Sequence, residues 1–314
     1  MNILIDLKNY PVNETLDILL KDKTTGENIL FATDSYSSLG EGYSQVDQMT
    51  AEKLTNMDSI EIQPRVFKSL EAQKLRTKVK AEVMTVSWLV CKMNAYADEE
   101  WFGRPNVFET LNGQSWTPTE GRIEFPANKT WQEYIDSRRI EITCGEAPYI
   151  VSCYDVTTGE IIPLQQRVGL LDRKLRIVNE NTSTEEEWLK WALRACQSVY
   201  GYEFQGDSLL IARINLLATY VDYMEERWKR QPTKVELRKV ANVIAWNFWQ
   251  MDAFTCTIPY ADPEGDEPDQ FSLDGFFDAV IEEEPKNVKP ICLIRDWRET
   301  GEGGKAHKFT DLKK

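Results

Sequence analysis

The chain has 314 residues, of which 42% are hydrophobic and 28% are charged, so it can bury a substantial core as one large domain or two ordinary ones. Ten Trp, twelve Tyr and twelve Phe argue against a disordered protein, and the net charge of −14 excludes a broadly basic surface for nucleic acid. The sequence shows no run of eighteen apolar residues and no signal-peptide pattern at its start. We therefore expect a cytoplasmic protein with no membrane contact.

The cysteines are widely spaced, and His307 is the single histidine. This spacing predicts reduced, mostly buried thiols, because a zinc site needs closer pairs of ligands. A catalytic pair of Cys or Ser with His is also not expected, since His307 lies in a polar, Gly-rich stretch near the C-terminus.

Residues 1–75 are predicted to form an N-terminal extension of a hairpin and helices. Two apolar runs, 16–21 and 29–32, flank a polar turn that contains Gly26, which indicates a β-hairpin. Residues 66–80 predict a helix rich in Lys and Arg, with Glu71 as its single acid. That run is typical of a solvated helix face, and a local patch that contacts phosphates is the alternative.

Residues 76–300 are predicted to form the main domain, and 301–314 a flexible tail. A helix is expected from Ser87, with Ser87 as its N-cap, and Trp, Gly and Pro punctuate residues 97–135 as in an irregular insertion. Residues 154–164 indicate a second hairpin, and Thr184 is expected to cap the helix that follows it.

Three segments of this domain read as buried strands that end in polar residues. The first is followed by Cys144-Gly145, and Gly permits the tight turn that brings backbone close to a ligand. The second ends at Glu203, where an acid can accept two hydrogen bonds from a ribose diol. The third ends at Asp252. Since the carboxyl ends of parallel strands meet at one edge of a sheet, we expect these residues to line one crevice.

In this order the segments resemble the S-adenosylmethionine motifs of adenine-specific DNA methyltransferases. Residues 141–150 match the family pattern Asp/Glu-Pro-x-Cys-Gly-x-Gly-x-Phe-Leu at Glu141, Cys144, Gly145, Tyr149 and Ile150. In that pattern Ile142 and Ala147 stand where the family has Pro and a second Gly.

The other motifs are matched over shorter stretches. Glu82 and Thr85 match a segment that precedes a helix packed over the cofactor. Residues 201–217 match the pattern around the ribose-binding acid, which assigns that role to Glu203. Asp252 matches the acid that accepts the adenine amino group. The resemblance thus implies an S-adenosylmethionine site formed by Thr85, Glu141, Cys144, Gly145, Glu203 and Asp252.

The catalytic loop of the family, Asn/Asp-Pro-Pro-Tyr, is missing. Residues 277–281 read like the strand that precedes it, but Glu282-Glu283-Glu284-Pro285 replaces the loop. The stretch 257–260, Thr-Ile-Pro-Tyr, is the other candidate, and it follows Asp252 too closely to allow an intervening helix and strand. The catalytic residues are therefore left unassigned, and no metal site is expected.

The sequence accordingly predicts an α/β, Rossmann-like methyltransferase domain, with strands ending at Ile142, Glu203, Asp252 and Ile281. The function it implies is a DNA methyltransferase-like protein of a restriction–modification or phage-defence system, which modifies adenine in DNA with a partner subunit. A protein partner or a homo-oligomer is expected. The alternative is a catalytically inactive binding or assembly subunit of the same fold, and a nuclease component lacks support from any metal-binding cluster.

Overall fold

The computed structural model describes residues 5–56, 61–80, 84–260, 290–299 and 303–313. Helices and strands alternate along much of the chain, as an α/β protein requires. The helices are α1 (Leu16–Leu19), α2 (Ala51–Thr55), α3 (Leu70–Lys80), α4 (Ser87–Phe102), α5 (Trp131–Asp136), α6 (Leu170–Asn181), α7 (Glu185–Gln197), α8 (Gly206–Trp228) and α9 (Lys234–Asn247). The strands are β1 (Glu109–Asn112), β2 (Ser115–Pro118), β3 (Arg139–Glu141), β4 (Val199–Glu203), β5 (Phe248–Gln250), β6 (Leu293–Asp296) and β7 (Lys305–Lys308).

In the part of the chain that the structure describes, a parallel sheet of three strands, in the order β3-β4-β5, lies at the centre. Glu141 pairs with Gly201, and Glu203 pairs with Gln250. Every residue of β4 and β5 is buried, as is typical of parallel strands covered on both faces. The prediction of an α/β fold is confirmed. β4 ends at Glu203 as predicted, whereas β3 ends one residue before Ile142 and β5 ends two residues before Asp252. The fourth predicted strand, 277–281, and the segment 282–285 lie outside the described residues.

Different residue clusters pack against the two faces of the sheet. Side chains alternate between the faces of a strand, so Val199 and Phe248 join the large core that includes α6 to α9. Tyr200, Tyr202 and Trp249 join a smaller cluster with Cys292 and Ile294, which come from the antiparallel β6–β7 hairpin and the residue before it.

The N-terminal residues pack against the same large core. Gln250, at the end of β5, pairs with the backbone of Leu30 through two hydrogen bonds of 2.8 and 3.0 Å. The fully buried Arg213 of α8 donates to main-chain carbonyls at the ends of α1 and α9, namely those of Leu19, Lys21, Ala245 and Phe248. Residues 5–56 are thereby joined to the sheet, and the predicted domain boundary at 75 and 76 stays a prediction.

Two local predictions are wrong. The run 16–21 begins with helix α1 instead of a strand, because Leu16 and Leu19 lie on one helical face and are buried, and the predicted hairpin retains a single bridge between Lys21 and Asn28. Ser87 is not an N-cap. Val86 holds that position, and the Ser87 N–H donates to the Asp155 carboxylate at 2.8 Å.

The insertion at 97–135 is more ordered than predicted. It contains the end of α4, the β1–β2 hairpin and α5, whose N-cap Thr130 forms a capping box with Glu133. Thr184 caps α7 as expected, and the hairpin signal at 154–164 corresponds to one bridge, between Tyr154 and Ile161. None of the described helices combines the length and the apolar character that a membrane span needs.

Candidate functional site

A crevice of about 780 Å³ opens where the strands of the parallel sheet end. Its walls come from the segment before α4, from the turns after β3 and β4, and from the loop after β5. All six residues that the sequence predicted line this crevice: Thr85, Glu141, Cys144, Gly145, Glu203 and Asp252. The structure therefore brings together side chains that are as far apart in the sequence as Thr85 and Asp252.

The turn after β3 has an unusual backbone. Thr143, Gly145 and Ala147 have φ angles of 46°, 53° and 63°, so every second residue is left-handed. This conformation is easy for Gly and costs about 1–2 kcal/mol for other residues. Ala147 is fully buried in the core and is not among the residues that line the crevice. The missing second Gly therefore strains the turn without placing a methyl group in the crevice.

Two acids hold this turn in place. Glu203 accepts the Gly145 N–H at 2.9 Å with one oxygen and the Gln205 N–H at 3.1 Å with the other. Glu141 accepts the N–H groups of Tyr149 at 3.4 Å and Ile150 at 3.2 Å. Glu203, at the end of β4, is thus hydrogen-bonded directly to the turn after β3. This bond fixes the positions of the two strand ends relative to each other.

The pKa values of Glu141 and Cys144 differ from those of ordinary surface residues. Burial raises the pKa of the Glu141 carboxyl to about 8, an effect that the backbone N–H groups of Tyr149 and Ile150 only partly offset. Burial also raises the pKa of the Cys144 thiol well above its usual value. Cys144 is therefore a neutral thiol at physiological pH, and it is not a nucleophile.

The loop after β5 is a tight turn around Asp252. Its carboxylate accepts the Phe254 N–H at 2.8 Å, and its own N–H donates to the Thr257 carbonyl at 2.8 Å. The Phe254 side chain is 99% exposed at the rim of the crevice. Tyr260 lines the same rim and donates to Gln45 at 3.0 Å.

The charge of the crevice has one sign. Among the described residues, its lining contains three acidic side chains, Glu141, Glu203 and Asp252, and no Lys, Arg or His. Because its pKa is raised to about 8, Glu141 is mostly protonated at neutral pH and adds little negative charge until a cation approaches it. The apolar part of the lining is rich in sulfur and aromatic groups, namely Met84, Cys144, Tyr149, Phe204, Met251, Phe254 and Tyr260. A cationic ligand with an apolar body suits this lining, whereas a ligand that carries phosphates does not.

Other residues of the matched stretch 201–217 have structural roles. Asn215 donates to the Glu146 carbonyl at 3.1 Å and so supports the turn after β3 from the side of α8. Asp207 is fully buried at the start of α8 and accepts hydrogen bonds from Lys68 at 2.8 Å and from Arg76 at 2.9 and 3.0 Å. The basic run at 65–80 is therefore neither a purely solvated face nor a free phosphate-binding patch, since two of its cations are bound to Asp207.

Sequence reasoning missed several residues of the crevice. Met84 lies next to the predicted Thr85, and Gln205 follows Glu203 by two residues, but neither matches a motif. The described part of the chain contains no cluster of His, Cys, Asp or Glu that could hold a metal ion. Comparison with protein-family models, with curated proteins and with solved structures found no match to this chain.

Proposed function

We propose that the crevice binds S-adenosylmethionine and that the chain is the cofactor-binding component of a DNA-modifying system, methylating adenine together with a partner subunit. The observation that carries the proposal is the lining of three acids without a base among the described residues. S-adenosylmethionine has a sulfonium and an ammonium group against one carboxylate, so it is a net cation. ATP and NAD carry phosphates, which the same acids repel.

The order of the strands supports a nucleoside in one orientation. In this proposal Glu203, at the end of the central strand, accepts ribose hydroxyls, and Asp252, two residues after β5, accepts an amino group of the base. The Gly145 turn and Glu141, at the end of β3, then face the methionine part. Thr85 closes the crevice from the segment before α4.

A partner is part of the proposal because the described residues around the crevice offer no cations that could hold DNA there. The crevice acids repel phosphates, and Lys68 and Arg76 are bound to Asp207. In the stretch that came closest to the catalytic loop, Thr257 is fully buried, although Tyr260 reaches the crevice. Contacts to DNA, and the acceptors for a target amine, then come from another subunit.

Calorimetric titration tests the binding step. S-adenosylmethionine and S-adenosylhomocysteine are titrated into the chain, with ATP and NAD as the matched anionic ligands. We expect the first two to bind and the phosphate-bearing ligands not to bind. The Asp252→Asn variant keeps the shape of the side chain and removes its charge, and we expect it to weaken binding about tenfold. Binding of ATP or NAD as tight as that of S-adenosylmethionine contradicts the proposal.

Transfer of a tritium-labelled methyl group to mixed-sequence DNA tests the second step. We expect no transfer by the chain alone and transfer once the products of neighbouring genes are added. Robust transfer by the chain alone shows that its own residues complete the catalytic site.

A second candidate function is an assembly subunit that keeps the fold without the cofactor. It is favoured by the Glu203 carboxylate, whose two oxygens already accept backbone N–H groups within the protein. No binding of S-adenosylmethionine at millimolar concentration supports this function over the first.

A further inference from the structure

Gln205 carries a buried polar atom that the fold leaves unsatisfied. It is the N-cap residue of α8 and is 4% exposed, and it lines the crevice. Its side-chain carbonyl oxygen, Oε1, is buried and accepts no hydrogen bond from the described residues. An unsatisfied buried acceptor costs about 1–3 kcal/mol, so proteins seldom keep one without a use.

Gln205 and Asp252 follow the paired ends of β4 and β5, and both line the crevice. Glu203 of β4 pairs with Gln250 of β5, and two residues further on the chains reach Gln205 and Asp252. The Met251 N–H still bonds to the Glu203 carbonyl at 3.0 Å, so the two chains run side by side as they leave the sheet. The amide of Gln205 and the carboxylate of Asp252 therefore belong to the turns after two paired strands and line the same crevice.

We infer that Gln205 accepts a hydrogen bond from the exocyclic amino group of the adenine ring and is a specificity-determining residue of the crevice. An aromatic amino group has two N–H donors, and the two acceptors that follow β4 and β5 in the crevice lining match that number. Asp252 accepts one of these N–H groups, and Gln205 accepts the other. A base without the amino group leaves both acceptors unpaired. This inference rests on the proposed binding of S-adenosylmethionine.

The experiment measures how well the protein distinguishes the amino group. Affinities are determined by calorimetry for S-adenosylhomocysteine and for its analogue in which hydrogen replaces the 6-amino group. The variant is Gln205→Met, which keeps the length of the side chain and removes the acceptor. The control is Gln45→Met, because Gln45 lines the same crevice but its amide oxygen already accepts the Tyr260 hydroxyl.

For the wild type we expect S-adenosylhomocysteine to bind about thirtyfold more tightly than the analogue, and for Gln205→Met only about fivefold. Gln45→Met should keep the wild-type ratio. An unchanged ratio in Gln205→Met overturns the inference and leaves the proposed function intact. A wild type that binds neither S-adenosylmethionine nor S-adenosylhomocysteine overturns the proposed function itself.

The stability of the ligand-free protein gives a second readout. Because Gln205→Met removes an unsatisfied acceptor, its Tm should equal or exceed that of the wild type, by roughly 2 °C. Gln45→Met breaks an existing hydrogen bond and should not raise the Tm. A lower Tm together with an unchanged affinity ratio shows that Gln205 has a structural role only.

Discussion

A buried carboxyl group at the start of α8 and another at the crevice have different hydrogen-bonding and charge partners. Asp207 is fully buried, but Lys68 and Arg76 lie within 3.0 Å of its carboxylate and Tyr36 donates a further hydrogen bond at 3.0 Å. Glu141 is also buried, and among the residues that the structure describes it has backbone N–H groups but no cation beside it. Two cations therefore hold Asp207 in its ionised form, whereas the Glu141 carboxyl keeps its proton up to about pH 8.

The difference separates a carboxyl group that is paired with cations inside the protein from one that the proposed ligand could pair with. Burial by itself opposes ionisation of Asp207, but Lys68 and Arg76 hold the pKa of its carboxyl well below the usual range. The pKa of Glu141 moves in the opposite direction, to about 8. A cationic ligand would do for Glu141 what Lys68 and Arg76 do for Asp207.

The largest difference in the free energy of unfolding is expected when Asp is replaced by Asn in each of the two regions. Asp207→Asn leaves Lys68 and Arg76 buried without a counter-charge and should lower the free energy of unfolding by about 3–5 kcal/mol. Asp252→Asn should change it by less than about 0.5 kcal/mol, since its site is partly open. Urea denaturation of both variants measures the difference. Equal losses would show that both acids are structural.

The second prediction concerns the pH dependence of stability. The pKa of Glu141 rises from a usual value of 4.5 to about 8 on folding. As pH increases, the unfolded chain therefore releases this proton first, and the free energy of unfolding falls between about pH 4.5 and pH 8. We expect a loss of a few kcal/mol across this window and a flatter profile in Glu141→Gln. The exposed Glu160→Gln is the control and should keep the wild-type profile.

The sequence predicted the crevice because its signals are local. Gly145 lies in the turn that follows β3 directly, and Glu203 and Asp252 stand at or next to the ends of buried strands, so each is recognised from its neighbours. The residues 16–21 were misjudged for the same reason. A short apolar run fits a helix or a strand equally well, and the choice is made by packing against α8 and α9.

Long-range contacts could not be predicted in this way. The partners of Asp207 are 131 and 139 residues away, at Arg76 and Lys68, and no local pattern connects them. The unsatisfied oxygen of Gln205 is likewise a property of the assembled crevice. The ion pairs of Asp207 and the unsatisfied oxygen of Gln205 can therefore be recognised only in the folded structure.

A third prediction concerns the protons that accompany binding. If a cationic ligand lies near Glu141, it lowers the pKa of that carboxyl, so binding of S-adenosylmethionine releases a proton below about pH 8. Affinity should rise several-fold between pH 6 and pH 8, and calorimetry in phosphate and Tris buffers should give different heats. Glu141→Gln should bind without this difference. Proton uptake on binding by the wild type contradicts the comparison.

The smallest effects are expected in the turn that links the two regions, where Gly145 and Ala147 share a left-handed backbone. Gly145→Ala should cost about 1 kcal/mol from backbone strain alone, because the added Cβ would meet Met84 at an ordinary contact distance of 3.7 Å. Ala147→Gly relieves a similar strain. It also removes a methyl group whose burial contributes about 0.8 kcal/mol, and it raises the conformational entropy of the unfolded chain. These terms nearly cancel, so Ala147→Gly should leave the free energy of unfolding within about 0.5 kcal/mol of the wild type and should leave ligand affinity unchanged. A marked gain in affinity for S-adenosylmethionine in this variant would show that the methyl group reaches the crevice after all.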